Sequence, residues 1–144
     1  MVEKILKNGN GNLLQGKTLG QTTLTSITFI IDGGGAEIAL GEKGHLEIPF
    51  ACAIEQVTLL ADQEGSIVVD IWKDTYANFP PTGADPDDSI TAAAKPTITA
   101  AQKSQDSTLT GWTKTIAAGD ILAFNVDSCE TITRVVLSLK VKKS

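Results

Sequence analysis

From Thr131 to Val141 the chain reads TITRVVLSLKV, with Val135, Leu137, Leu139 and Val141 on one parity and Arg134, Ser138, Lys140 and Lys142 on the other. A period of two puts alternate side chains on opposite faces of a strand, so this segment has one dry face and one wet face. Such a strand belongs in the middle of a sheet whose dry face packs on a second apolar layer. No βαβ period appears elsewhere, and Thr, Ser, Gly, Val and Ile are abundant while Glu, Leu and Arg do not gather into helical runs. That is the composition of strands and turns.

Further strands are predicted along the chain. Ile27–Ile31 ends in Asp32-Gly33-Gly34-Gly35, where glycines supply the positive φ of a tight reversal. Residues 36–40 form the next strand, Gly41-Glu42-Lys43-Gly44 a second turn, and His45 to Ile48 an alternating strand before Pro49. Residues 54–61 and 66–72 are predicted as a hairpin joined by Asp62-Gln63-Glu64-Gly65. Residues 73 to 95, with Pro80, Pro81 and Pro86, are predicted as a long surface loop, since proline removes the donors a central strand needs. Two weaker strands, 97–100 and 103–109, and the strand 120–126 complete the set. About eight short strands with Gly, Asp and Pro turns predict an all-β, antiparallel, jelly-roll-like β-sandwich.

With 144 residues the sequence fits one core, and residues 26–144 are assigned to it. Residues 1–25 differ: Asn8-Gly9-Asn10-Gly11-Asn12 is turn or linker chemistry between the apolar clusters Ile5-Leu6 and Leu13-Leu14. They read as an extended N-terminal arm, too polar for a core of its own yet able to order on a partner.

The chain carries 17 acidic and 12 basic residues, a formal charge of −5, which excludes a general nucleic-acid binder. No apolar stretch has the length of a signal peptide or of a membrane span, so the expectation is a protein made in the cytoplasm with no membrane partner. Cys52 and Cys129 lack metal-ligand spacing and are expected as free thiols.

Catalytic chemistry is hard to find. His45 is the single histidine, and no serine or cysteine sits in a nucleophile elbow. Gly33-Gly34-Gly35 lacks the Lys and Ser/Thr of a phosphate loop, and Asp85-Pro86-Asp87-Asp88 lacks EF-hand spacing, so no metal or cofactor is expected. Paired carboxylates for glycoside hydrolysis, drawn from Asp32, Asp62, Asp70, Asp74 or Asp127, have no recognisable spacing. The expectation is a protein that is not an enzyme. Trp72, Tyr76, Phe79 and Trp112 suit either of two roles: a platform on which a sugar stacks, or plugs for the open end of the sandwich, the role favoured by their places at strand ends and beside prolines.

Several segments carry a resemblance: Leu46-Glu47-Ile48-Pro49-Phe50, the run from Val57 to Asp62 with Gly65 to Lys73, Pro80-Pro81-Thr82, Leu109-Thr110-Gly111-Trp112, Gly119 to Ser128, and Thr131 to Val135. From about Ile27 onward the chain resembles a domain recurring in tailed-bacteriophage virion proteins. The resemblance implies a homotrimeric structural protein of the virion, assembled in the bacterial host cytoplasm. The favoured role is a capsid decoration or cement protein that docks on the major capsid protein or another virion protein through its arm, with Ile5, Leu6, Leu13, Leu14, Lys4, Lys7 and Lys17 as contacts. The alternative role is a head- or tail-fibre module that adsorbs to host surface glycan through the loop bearing Trp72, Tyr76 and Phe79.

Overall fold

A computed structural model describes residues 23–144, so the expected arm contacts Ile5, Leu6, Leu13, Leu14, Lys4, Lys7 and Lys17 lie outside the described residues. Within them the chain is all-β: β1 (Leu24–Asp32), β2 (Gly41–Glu47), β3 (Cys52–Asp74), β4 (Thr97–Asp106), β5 (Thr115–Ile116), β6 (Ile121–Glu130) and β7 (Arg134–Lys143). The one helical element among them is a single 3-10 turn, Tyr76–Asn78. All pairings are antiparallel, and the path through the sheet is β1-β7-β3-β6-β2, with β4 and β5 also paired to β3.

The 23-residue β3 organises the sheet. Its first half pairs with β7 as far as Ala61 opposite Val135, and its second half pairs with β6 from Ser66 opposite Glu130. β4 follows the other edge of both halves, with register shifts either side of Gly65. The sheet therefore curls about the middle of β3 and closes over one apolar core. Phe29 of β1 stacks on Phe124 of β6 with ring centroids 4.3 Å apart, although these strands are never hydrogen-bonded neighbours. β2 comes close at the same place, since a Cβ on Gly44 would stand 2.7 Å from the Phe29 ring.

β7 lies between β1 and β3, and Val135, Leu137, Leu139 and Val141 are all buried, as the alternation requires. Other expectations are corrected. Seven strands form where about eight were predicted. The hairpin over residues 54–72 does not exist, because each half of β3 finds a different partner and the chain runs on through 62–65. Residues 36–40 are not a strand; Ile38 is buried and donates to the Ile132 carbonyl at 3.0 Å, closing the corner between β6 and β7. The Gly41 to Gly44 turn is instead the start of β2, with a bulge between Glu42 and Gly44. The two weak strands over 97–109 merge into β4, whose irregularity includes Ala100 at φ 43°. No helix among the described residues is long and apolar enough to cross a membrane.

Candidate functional site

The segment between β3 and β4, residues 75–96, is the longest without strand structure among the described residues, and it is built from below. β3 enters it through Asp70, a carboxylate in a run of apolar residues that is 6% exposed. A buried charge is tolerated only when its lone pairs are filled. Here Oδ1 accepts from the Ile71 amide at 2.8 Å, the Ser89 hydroxyl at 2.8 Å and the Thr91 hydroxyl at 2.7 Å, and Oδ2 accepts from the Trp72 indole at 3.0 Å. The Lys95 ammonium lies 3.5 Å from Oδ2 and 2.6 Å from Asp127, whose other oxygen accepts from the Asn125 side-chain amide at 2.6 Å. Burial alone pushes the Asp70 carboxyl up, yet the hydroxyls of Thr91 and Ser89, the Trp72 indole and the Lys95 charge together hold it below the usual carboxylate range. Hydrogen bonding to Asp127, against a burial penalty and with help from both carboxylates, raises Lys95 above its ordinary value.

This network fastens the return leg of the loop over the outer face of the second half of β3. The backbone continues the fastening: Lys73 donates to the Asp88 carbonyl at 2.7 Å and Ile90 to the Ile71 carbonyl at 2.9 Å. Asp88, Ile90 and Thr91 are consequently buried, so the stretch predicted as surface loop is half cover and half surface.

The outward part begins where Thr75 caps the Tyr76–Asn78 turn, its hydroxyl accepting from the Asn78 amide at 3.3 Å. Asp74 accepts from the Thr75 amide at 2.7 Å and from the Asn78 side chain at 3.2 Å. Phe79 precedes a cis peptide bond to Pro80 and meets His45 edge-on, with centroids 4.8 Å apart. Beyond it the Thr82 amide donates to Asp88 at 2.7 Å, and Gly83 lies so close to the Trp72 ring that a Cβ there would stand 2.6 Å from it.

The four aromatics expected as plugs divide. Trp112 is buried and donates to the Ala94 carbonyl at 2.8 Å, and Trp72 is half-buried under Gly83, so these two are structural. Tyr76 is 78% exposed and Phe79 47% exposed, which corrects the plug expectation for both. On the same loop a cleft of about 360 Å³ is lined by Asp74, Asn78, Asp85, Asp87, Asp88 and Asp120 with Lys73. The one cation is occupied, 3.5 Å from Asp120 and donating to the Thr115 carbonyl at 2.8 Å. No group of three or more His, Cys, Asp or Glu with metal-holding geometry occurs among the described residues. The carboxyls whose titration moves, Asp62 and Asp70, both move downward, the direction opposite to that of a general acid. Cys52 and Cys129 are free, and burial pushes both thiols up, away from nucleophilic character.

No family model matches the chain, and no curated protein is significantly similar to it.

Proposed function

We propose that the chain is a non-enzymatic structural module of a bacteriophage particle, a jelly-roll-like β-sandwich that presents its 75–96 loop to host surface glycan. The observation that supports this reading most is the pair of exposed rings, Tyr76 and Phe79, on a loop pinned from beneath by the Asp70 network. A sugar offers C–H faces that stack on aromatic rings and hydroxyls that donate to carboxylates and side-chain amides. The rings, and a cleft with Asp74, Asn78 and Asp85 on the same segment, offer the two chemistries. Because the loop is fixed before any ligand arrives, little ordering entropy opposes binding. The negative cleft favours neutral or amino-bearing glycans over phosphorylated or uronic-acid polymers.

Adsorption of the labelled chain to host cells tests this reading. Tyr76→Ala with Phe79→Ala should abolish adsorption while leaving the thermal midpoint within about 2 °C, since exposed side chains contribute little to stability. Undiminished adsorption by the folded double variant removes the glycan reading.

A second reading, capsid decoration, draws on the two apolar clusters of the arm, Ile5-Leu6 and Leu13-Leu14. In that reading the 1–25 arm, with Ile5, Leu6, Leu13 and Leu14, joins the module to the major capsid protein. Deleting residues 1–17 should then block incorporation into particles, and full incorporation of the truncated chain refutes arm docking.

A further inference from the structure

The two outer faces of the curled sheet are treated differently. The face over the second half of β3 is covered by the chain's own 88–96 segment through Asp70, Ser89, Thr91 and Lys95. Among the described residues the face over the first half, formed by β1, β7, β3 and β4 in that order, carries no such cover, and an apolar row crosses it. Ile30 stands opposite Val136, Val136 opposite Leu60, and Leu60 opposite Lys103. Ile30 and Leu60 are half or more exposed, and Val136 is half-buried between them. Adjacent apolar side chains exposed together on an otherwise polar face gain from contact with a partner.

The charges beside that row decide what fits it. On β7 the outward side chains are Arg134, Val136, Ser138, Lys140 and Lys142, so its charges are all positive. On β3 the carboxylate of Asp62 lies next to Arg134, where it accepts from that residue's amide at 3.0 Å, and the exposed Glu55 lies toward the other end. A basic strand thus runs beside one that carries acids at both ends, with apolar and hydroxyl residues between.

We propose that this face is a two-fold contact between two copies of the chain, with the axis parallel to the strands and midway between β7 and β3. That operation lays β7 of one copy on β3 of the other. Val136 then meets Leu60 of the second copy, Arg134 meets its Asp62, and Ser138 meets its Thr58, each contact occurring twice as an isologous interface requires. Ile30 covers the aliphatic stem of Lys103 across the same axis. An axis running across the strands would instead lay the basic β7 on the β7 of the second copy and forgo the contact of Arg134 with Asp62, which opposes association. Clefts of 310 and 640 Å³ on either side of Leu60 leave room for the side chains of the opposing copy. Four strands at ~4.8 Å and four rows at ~6.8 Å give a flat footprint of about 500 Å² per copy, below the ~800 Å² of a standard interface, so the pair forms at micromolar and higher concentrations. The loop bearing Tyr76 and Phe79 leaves from the far end of β3 and stays free in the pair.

Sedimentation equilibrium of the full chain, carried to about 500 µM at low salt, reads the association directly. The expected result is a reversible rise to the mass of two copies, with Leu60→Lys and Arg134→Glu each raising the dissociation constant at least tenfold while the circular dichroism spectrum is unchanged. Ile30→Cys with Lys103→Cys supplies an independent reading: within one chain these positions are three strand spacings apart, about 14 Å, too far for a disulfide. Oxidation should therefore yield a covalent two-copy species that neither single variant gives. A chain that stays monomeric to the highest concentration, a mass of three copies, or association untouched by Leu60→Lys and Arg134→Glu overturns the proposal.

Discussion

Asp70 decides more than any other single residue, because it is a charge placed in an apolar strand and every one of its neighbours answers it. Removing the carboxylate leaves the Ser89 and Thr91 hydroxyls and the Trp72 indole without their shared acceptor and the Lys95 ammonium with Asp127 alone. Breaking a buried charged pair from one side costs about 3–5 kcal/mol, so Asp70→Ala should lower the urea midpoint by that equivalent and expose the loop to proteolysis. The pH dependence has a definite sign. Asp70 and Asp62 both titrate below their unfolded values, so their contribution is present above the unfolded value of about 3.9 and is lost as pH falls toward the folded ones. Lys95 runs the other way: its contribution is present below the unfolded value of about 10.4 and is lost as pH rises through the raised folded one. Thermal midpoints between pH 5 and pH 3 should fall more steeply in the native chain than in Asp70→Asn, and equal slopes would contradict the assignment. Read as a letter, Asp70 was one of five candidate acids; that it sits in a strand covered on both faces, and must therefore be paired, is visible only once the Ser89 to Lys95 return leg is in place. The signal available in the sequence was an acid flanked by Val69 and Ile71, with a Ser-x-Thr pair downstream and no obvious task.

At the scale of elements, β3 shows where local reading succeeds and where it stops. Its two halves were legible as strands from their apolar runs, and β7 was legible down to its buried face. The turn residues between the halves were misread, because Asp-Gln-Glu-Gly is reversal chemistry only if the flanking strands choose each other. Here Asp62 instead accepts from the Thr133 hydroxyl and from the Thr133 and Arg134 amides at 3.3 and 3.0 Å, holding the start of β7 against the corner. Gly65 is needed for close approach, not for a turn: a Cβ there would stand 2.8 Å from Ile132 Cγ1 and closer still to the Glu130 carbonyl. Gly65→Val should therefore cost about 1–3 kcal/mol in chemical denaturation, the scale of forcing a large group into a packed site, and an unchanged midpoint would show that the corner yields freely. The core stack offers a second check, with Phe124→Ala expected to lose about 3–5 kcal/mol because the Phe29 ring loses its partner across the curl.

For the whole molecule, the all-β antiparallel class follows from alternation and turn spacing, whereas the curl of one sheet over a single core depends on long-range pairings that no local pattern encodes. The same limit applies to the site. Trp72, Tyr76 and Phe79 were legible as a group on one loop, but their separation into one supporting ring and two outward rings depends on Gly83 lying against Trp72. The described residues divide the labour: an apolar interior, one outer face covered by the chain's own loop, another that we propose pairs with a second copy, and two exposed rings on the loop that also borders an acidic cleft. The proposed function places this module on a bacteriophage particle with that loop facing outward. A cryo-electron microscopy reconstruction of the particle encoding the chain tests it most directly. The account predicts density for the curled sheet on the particle exterior with Tyr76 and Phe79 pointing away from the surface, and particles that carry no such density would contradict it.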